Sequence, residues 1–340
     1  MCGGWVKNRQ SVLALGDIRI DSPVILAPMA GITDRPFREI VAKFGAGLVV
    51  SEMVATQELL AQKPSVRAKA EVAAGSVGTS VQIAGRDPAA MAETARRLVG
   101  DGARIIDINM GCPARKVTGG ACGSALLRDP DQALRIIDAV VGAVAVPVTL
   151  KTRLGWDENC LNAPEIARAA EAAGVRMITI HGRTRCQFYK GQADWRAIRD
   201  VVEAVAVPVI ANGDIVDAET ARRALSLSGA AGVMIGRGAI GKPWLPAEIA
   251  ARLQGRMVDL RPCGQAFGDL VAAHAEAHLN FYGTDPGIRA MRKHMDGYLS
   301  QVPGSGDLRT WMIRETATER LFRGIRELGD LDAAVGSLAA

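Results

Sequence analysis

About eight short apolar runs, bounded by nearby Gly, Pro or Asp, recur between residues 24 and 235, and their rhythm limits the possible folds more than any other feature of the chain. The runs are 24–27, 47–50, 79–83, 104–110, 146–150, 176–180, 207–211 and 231–235. Helical patterns at 88–99, 130–141, 163–173, 195–205 and 217–227 separate them. Asp87-Pro88 and Asp129-Pro130 each place an acidic cap before a proline that suits a first helical turn. Gly174 marks a helix end. Strands that alternate with helices pair in parallel, and near-continuous apolar runs mean that both strand faces are covered. The expected class is α/β, as a (β/α)8 TIM barrel; an open doubly wound sheet is the rival architecture.

The ends of the chain read differently. Residues 12–21 alternate apolar and polar positions around Gly16-Asp17, the pattern of a short hairpin that plugs the barrel floor. After a break at Arg261-Pro262-Cys263-Gly264 no strand pattern follows. Helical spacing at 265–279, 288–299 and 308–328 indicates an all-helical C-terminal domain, with a turn at 303–306 and a frayed tail at 336–340. The expected units are therefore an N-terminal hairpin and extension (1–22), the barrel (23–255) and the helical domain (262–335). Aromatic residues make up only 4% of the chain, so the core must be aliphatic. Six scattered cysteines form no CxxC pair and no Cys/His zinc spacing, which suits reduced thiols in a cytoplasmic protein. No signal-like or membrane-spanning apolar run is present. The net charge of +5 permits a nucleic-acid partner without requiring one.

The polar residues of interest cluster at strand ends, the face on which such barrels place their chemistry. Cys112 follows the strand ending Asp107-Ile108-Asn109-Met110-Gly111 and precedes Pro113, which holds it extended on a loop. A cysteine there either faces a cleft or simply packs. Gly111, Gly119, Gly120 and Gly123 make its loop a candidate lid. Pro28, Met29 and Ala30 end the first strand, where small residues allow close backbone approach. Gln82, in an apolar run, needs partners for its amide and suits a ring with C=O and N–H edges. Lys151 and Arg153, two apart on one strand, are costly to bury without an anionic ligand, although a solvated strand end would also hold them. His181 and Arg183 end the next strand. Asn212, Gly213 and Asp214, then Gly236 and Arg237, end the last two, where barrels bind phosphate. Together these form a barrel mouth suited to flavin mononucleotide (FMN).

Two motifs mislead. Residues 236–241 match GxGxxG, but they close the strand series instead of opening it, contrary to a dinucleotide-binding unit. His274 and His278 form HAEAH, which lacks the Glu directly after the first His and any apparent third ligand; helix packing accounts for them, and no metal is expected.

The motifs APMAGITDRPFR (27–38), VQIAG (81–85), DINMGCP (107–113), GSALL (123–127), VPVTLKTRLGW (146–156), TIHGRTR (179–185), PVIANGDI (208–215) and MIGRGA (234–239) resemble those of the tRNA-dihydrouridine synthase family, closest to its bacterial B-type branch. The likeness covers nearly the whole chain. It implies an FMN enzyme that uses NADPH to reduce the C5–C6 bond of selected tRNA uridines. Carried over by motif, FMN is held by Pro28, Met29, Ala30, Gln82, Lys151, Asn212, Gly213, Asp214, Gly236 and Arg237, with His181 nearby. Reduced flavin gives hydride to uracil C6 and Cys112 gives a proton to C5. A free thiol is mostly protonated at neutral pH and can serve as that acid. Asn109 and Arg153 are expected at the uracil and Arg183 at an anion. Residues 118–122 depart from relatives, which often carry Lys or Arg there; this bears on a phosphate contact, not on the chemistry.

Arg289, Arg292 and Lys293 share one helix face, a candidate tRNA phosphate track. Bulk charge adds no support, because residues 284–330 hold about eight basic and seven acidic side chains. The expected partner is tRNA, bound by a monomer. Rival functions are an FMN barrel acting on a small molecule and a non-catalytic RNA-binding regulator.

Overall fold

The computed structural model describes residues 12–62, 71 and 79–339. Strands β1 (Leu13–Leu15) and β2 (Ile18–Ile20) form an antiparallel hairpin around Gly16, whose φ of +63° suits its tight turn. Leu13, Leu15, Ile18 and Ile20 are buried against Ile25, Leu48, Ile105, Met177 and Ile210, so the hairpin seats its apolar face in the strand cylinder as its alternation predicts.

That cylinder consists of β3 (Val24–Leu26), β4 (Leu48–Val50), β6 (Thr79–Ala84), β7 (Ile106–Met110), β8 (Val148–Arg153), β9 (Met177–His181), β10 (Val209–Asn212) and β11 (Gly232–Ile235). All pair in parallel, and β4 pairs with β6 to close the circle, while the two-residue β5 (Val54–Ala55) extends the β6 edge. The barrel, not the open sheet, is the fold. Its strands are buried along their whole length, apart from the half-buried His181, as near-continuous apolar runs require.

The helix signals act as physics expects. Asp87 and Asp129 accept from the backbone N–H of Ala90 and Gln132, each ahead of a proline in the first turn. Asp34 does the same for Phe37 at the start of helix Arg35–Phe44. Several boundaries differ from expectation; helix Thr284–Leu299, for one, begins four residues ahead of its pattern. The pattern at 195–205 yields a helix only over Arg199–Ala204, because Asp194 accepts from Arg196 and Ala197 and holds a turn there. The pattern at 308–328 splits into Gly306–Met312 and Thr318–Ala339. Glu315 accepts from the N–H of Thr316 and Ala317, and Arg292 reaches over to the carbonyls of Arg314 and Glu315, so the backbone there is satisfied without helix. The last helix runs to Ala339 instead of fraying from 336.

Helices Gln265–Tyr282 and Thr284–Leu299 complete the C-terminal region with these two. Their apolar cluster includes Trp244 next to the barrel's closing helix Leu245–Leu253. At this seam Gly241, φ +72°, lies against Gly297: a methyl on Gly241 would fall about 2 Å from the Gly297 backbone. Gly241→Ala is therefore expected to destabilise the protein by about 2–4 kcal/mol, through the clash and the strain at positive φ. A thermal midpoint within a degree of wild type would contradict this close approach. No helix among the described residues is long and apolar enough to cross a membrane.

Candidate active site

The C-terminal strand ends open into a cavity of about 710 Å³. Its walls include Pro28, Met29, Ala30, Gln82, Asn109, Cys112, Lys151, Arg153, His181, Asn212, Gly213, Asp214, Gly236 and Arg237. Parallel register explains the convergence: Gln82 lies beside Asp107, Asn109 beside Lys151, and His181 beside both Arg153 and Asn212.

Cys112 is half-buried and sits on a fixed foot. The Asn109 Oδ1 accepts from the N–H of Gly111 (3.1 Å) and of Cys112 (2.9 Å). Ser124 donates its hydroxyl to the Cys112 carbonyl at 2.9 Å. The candidate lid is thus tied at both feet. Asn109 donates to Gln82 Oε1 at 2.7 Å, and Gln82 Nε2 donates to Asp107 Oδ2 at 2.7 Å. Thr149 donates to the other Asp107 oxygen at 2.6 Å. This relay from Asp107 to the cysteine backbone fixes both amide orientations. Asp107 escaped the sequence reading. Its signal was the one that exposed Gln82, a polar side chain within an apolar run. Burial pushes its carboxyl up, opposed by Gln82, Thr149 and Lys151.

Lys151 donates to Asn212 Oδ1 at 3.0 Å and makes no ion pair among the described residues. Burial, and then the charge of Arg153, lower its pKa to about 8 from 10.5. The folded chain therefore releases this proton before the unfolded chain does. The cost of burying the charge is present below about pH 8 and is relieved as pH rises towards 10.5. Asn212 is itself held by the Met234 carbonyl at 2.8 Å.

Arg153 is 2% exposed and gives Nε and Nη1 to backbone: Gly111 O (2.7 Å), Thr184 O (3.0 Å) and Phe188 O (2.9 Å). It lines the cavity while clamping the loops around it. Arg183 is not among the cavity walls; it is buried against Lys190 O, Gly191 O and the Asp214 carboxylate. It also lies 3.3 Å from His181 Nε2, and since Arg only donates, that nitrogen accepts and Nδ1 carries the proton. Burial and the charges of Lys151, Arg153 and Arg183 hold His181 well below its ordinary pKa, so the ring is neutral. Asp214 adopts a positive φ of 54° directly after Gly213 at 116°, which turns the chain under the cavity.

Tyr189 was also missed. It stands 54% exposed at the rim, with the guanidinium of Arg237 5.0 Å and that of Arg153 5.6 Å from its ring centre. It lies on an irregular stretch after β9, where periodicity carries no signal. The three basic residues of helix Thr284–Leu299 stay apart from these walls. Arg289 and Lys293 are exposed, with Lys293 leaning over Gly31 at the rim, whereas Arg292 is committed to the carbonyls of Arg314 and Glu315.

The dihydrouridine synthase family model matches residues 25–328. A probable tRNA-dihydrouridine synthase of Rhodobacter capsulatus is 63% identical over 316 residues, covering 92% of this chain and 97% of that protein. The tRNA-dihydrouridine synthase B of Pseudomonas aeruginosa is 44% identical over 318 residues, covering 93% and 96%. Among solved structures, a morphinone reductase variant in complex with tetrahydroNAD shares the fold, with a TM-score of 0.55 at 15% identity over 74% of this chain and 92% of that one.

Proposed function

The chain belongs to the dihydrouridine synthase family, and from that premise we propose that it reduces the C5–C6 double bond of specific uridines in tRNA, with FMN as cofactor and NADPH as reductant, in the cytoplasm. The observation that carries this reading is that Cys112, Lys151 and the glycine-bearing ends of β10 and β11 open into one cavity.

The residues fit a flavin. The volume lies within the range of cofactor pockets. Gly236 leaves its backbone open, since a methyl there would meet nothing closer than 3.8 Å. Lys151 is a buried cation with one neutral acceptor, a poor arrangement unless an anionic or electron-rich ligand completes it. FMN would be held by Pro28, Met29, Ala30, Gln82 and Lys151 along its ring side, with His181 adjacent. Its phosphate would take Asn212, Gly213, Asp214, Gly236 and Arg237. When bound, it supplies the hydride that uracil C6 accepts.

The chain's own side chains do the rest. Lys151 offsets negative charge at the ring. Cys112 delivers a proton to C5, its thiol aimed by the Asn109 and Ser124 bonds to its backbone. Asn109 and Arg153 hold the cysteine loop, so their contribution to uracil binding is largely through that loop. Tyr189 offers a face on which a flipped pyrimidine can stack. Arg289 and Lys293 offer the tRNA exposed positive charge.

Purified protein is expected to be yellow and to release FMN on denaturation; colourless protein that refuses added FMN would overturn the reading. An anionic ligand should also restore the Lys151 proton. FMN binding is expected to take up more protons at about pH 8.5 than at about pH 6.5, where Lys151 is already charged and the phosphate, with a pKa of about 6, can only release one, read by calorimetry in buffers of different ionisation enthalpy. Lys151→Met should abolish the uptake, and uptake that is the same at both pH values would count against this role.

A further inference from the structure

His274, His278 and His294 lie fully buried where helices Gln265–Tyr282 and Thr284–Leu299 meet the start of helix Arg35–Phe44. One imidazole nitrogen of each lies within 4.8 Å of one from each of the others, the only such His/Cys/Asp/Glu trio among the described residues. The HAEAH spacing left the pair without a third ligand; the neighbouring helix supplies it. Buried polar nitrogens normally find partners. Here, among the described residues, His274 Nε2 makes no hydrogen bond, and His294 has the backbone of Ile32 as the one group facing its two nitrogens.

We propose that the three histidines form a structural site for a borderline divalent metal of the zinc class, pinning helices Gln265–Tyr282 and Thr284–Leu299 to each other beside the first turn of the barrel. Hydrogen bonds that would orient the rings toward an ion are already in place. His274 Nδ1 is bonded to Tyr298 Oη at 2.9 Å, which leaves Nε2 for a metal. His278 Nδ1 donates to the His274 carbonyl at 3.1 Å, which likewise directs Nε2 inward. That Nε2 is hydrogen-bonded to Asp34 Oδ2 at 2.9 Å, a bond that metal binding would replace. Tyr282 donates to the same carboxylate oxygen at 3.2 Å, and Asp34 Oδ1 caps the helix at Phe37.

Without a metal, His278 keeps its bonds to the His274 carbonyl and Asp34, while His274 Nε2 and at least one nitrogen of His294 have no partner among the described residues. A metal instead engages every ring. Zinc binds nitrogen at about 2.0–2.1 Å, so each ring must move inward by roughly 1 Å. Three imidazoles suit zinc, cobalt or nickel over the hard alkaline-earth ions. Phe37 covers the cluster, with its ring 4.7 Å from His294 and 5.6 Å from His274, so the ion would enter as the chain folds.

The test uses the full chain with its thiols alkylated, unfolded with a chelator, refolded with ZnCl2 and desalted for elemental analysis. Wild type is expected to retain about one zinc ion per chain, and His294→Leu less than about a tenth. His274→Gln guards against a variant that does not fold, because CoCl2 then gives a second reading. Wild type should show the visible bands of tetrahedral cobalt, and His274→Gln should lose them. Metal-free wild type after refolding, or equal metal in wild type and both variants, would overturn the site.

Discussion

Cys112→Ala is expected to slow dihydrouridine formation by about 10²–10⁴-fold, the usual contribution of a positioned general acid. Reduction at C6 leaves charge at C5 that needs a proton, and Cys112 is the thiol the cavity holds. The fold should tolerate the change. Asn109 and Ser124 grip the backbone of residue 112, not its sulfur, so alanine keeps those bonds. FMN content and the thermal midpoint should match wild type, which separates a chemical defect from a structural one. Cys112→Ser should fall between the two, because a hydroxyl is a far weaker acid. A rate for Cys112→Ala within about threefold of wild type would remove the cysteine from the mechanism.

Arg153→Met is expected to lose about 3 kcal/mol of stability and, separately, roughly tenfold to a hundredfold in rate. The guanidinium satisfies carbonyls from the cysteine loop and from two positions after β9. Each carbonyl left without a partner costs about 1–3 kcal/mol when buried, less where cavity water reaches it. The Gly111 carbonyl is one residue from Cys112, so its release shifts the backbone that carries that thiol. The same substitution removes a charge that lowers the Lys151 pKa, so proton uptake on FMN binding should shift to higher pH. Were Arg153 chiefly a uracil ligand, the loss would fall on tRNA affinity, with the denaturation midpoint unchanged.

Much of this arrangement was legible in residue order. Strand ends in a closed barrel converge whatever lies between them, so Gln82, Cys112, Lys151 and Asn212 could be grouped without coordinates. Side-chain destinations were less legible. Arg183 and Arg292 read as cations awaiting an external anion, yet Arg183 takes the Asp214 carboxylate and two loop carbonyls, and Arg292 takes the carbonyls of Arg314 and Glu315. Asp107 was quoted only as part of a motif, because its partners Gln82 and Thr149 lie on the two neighbouring strands. Tyr189 and the third histidine were hidden for a different reason. One lies on an aperiodic segment, and the other is brought to its neighbours by a helix crossing that spacing within one helix cannot show.

The most direct measurement is mass-spectrometric mapping of dihydrouridine in tRNA from a strain lacking this gene, complemented with wild type or with Cys112→Ala. Loss of dihydrouridine at defined positions in the deletion strain, restored by wild type and not by the variant, is the predicted result. Retention of every dihydrouridine in the deletion strain, together with no product from purified, FMN-loaded protein given NADPH and that tRNA, would contradict the account.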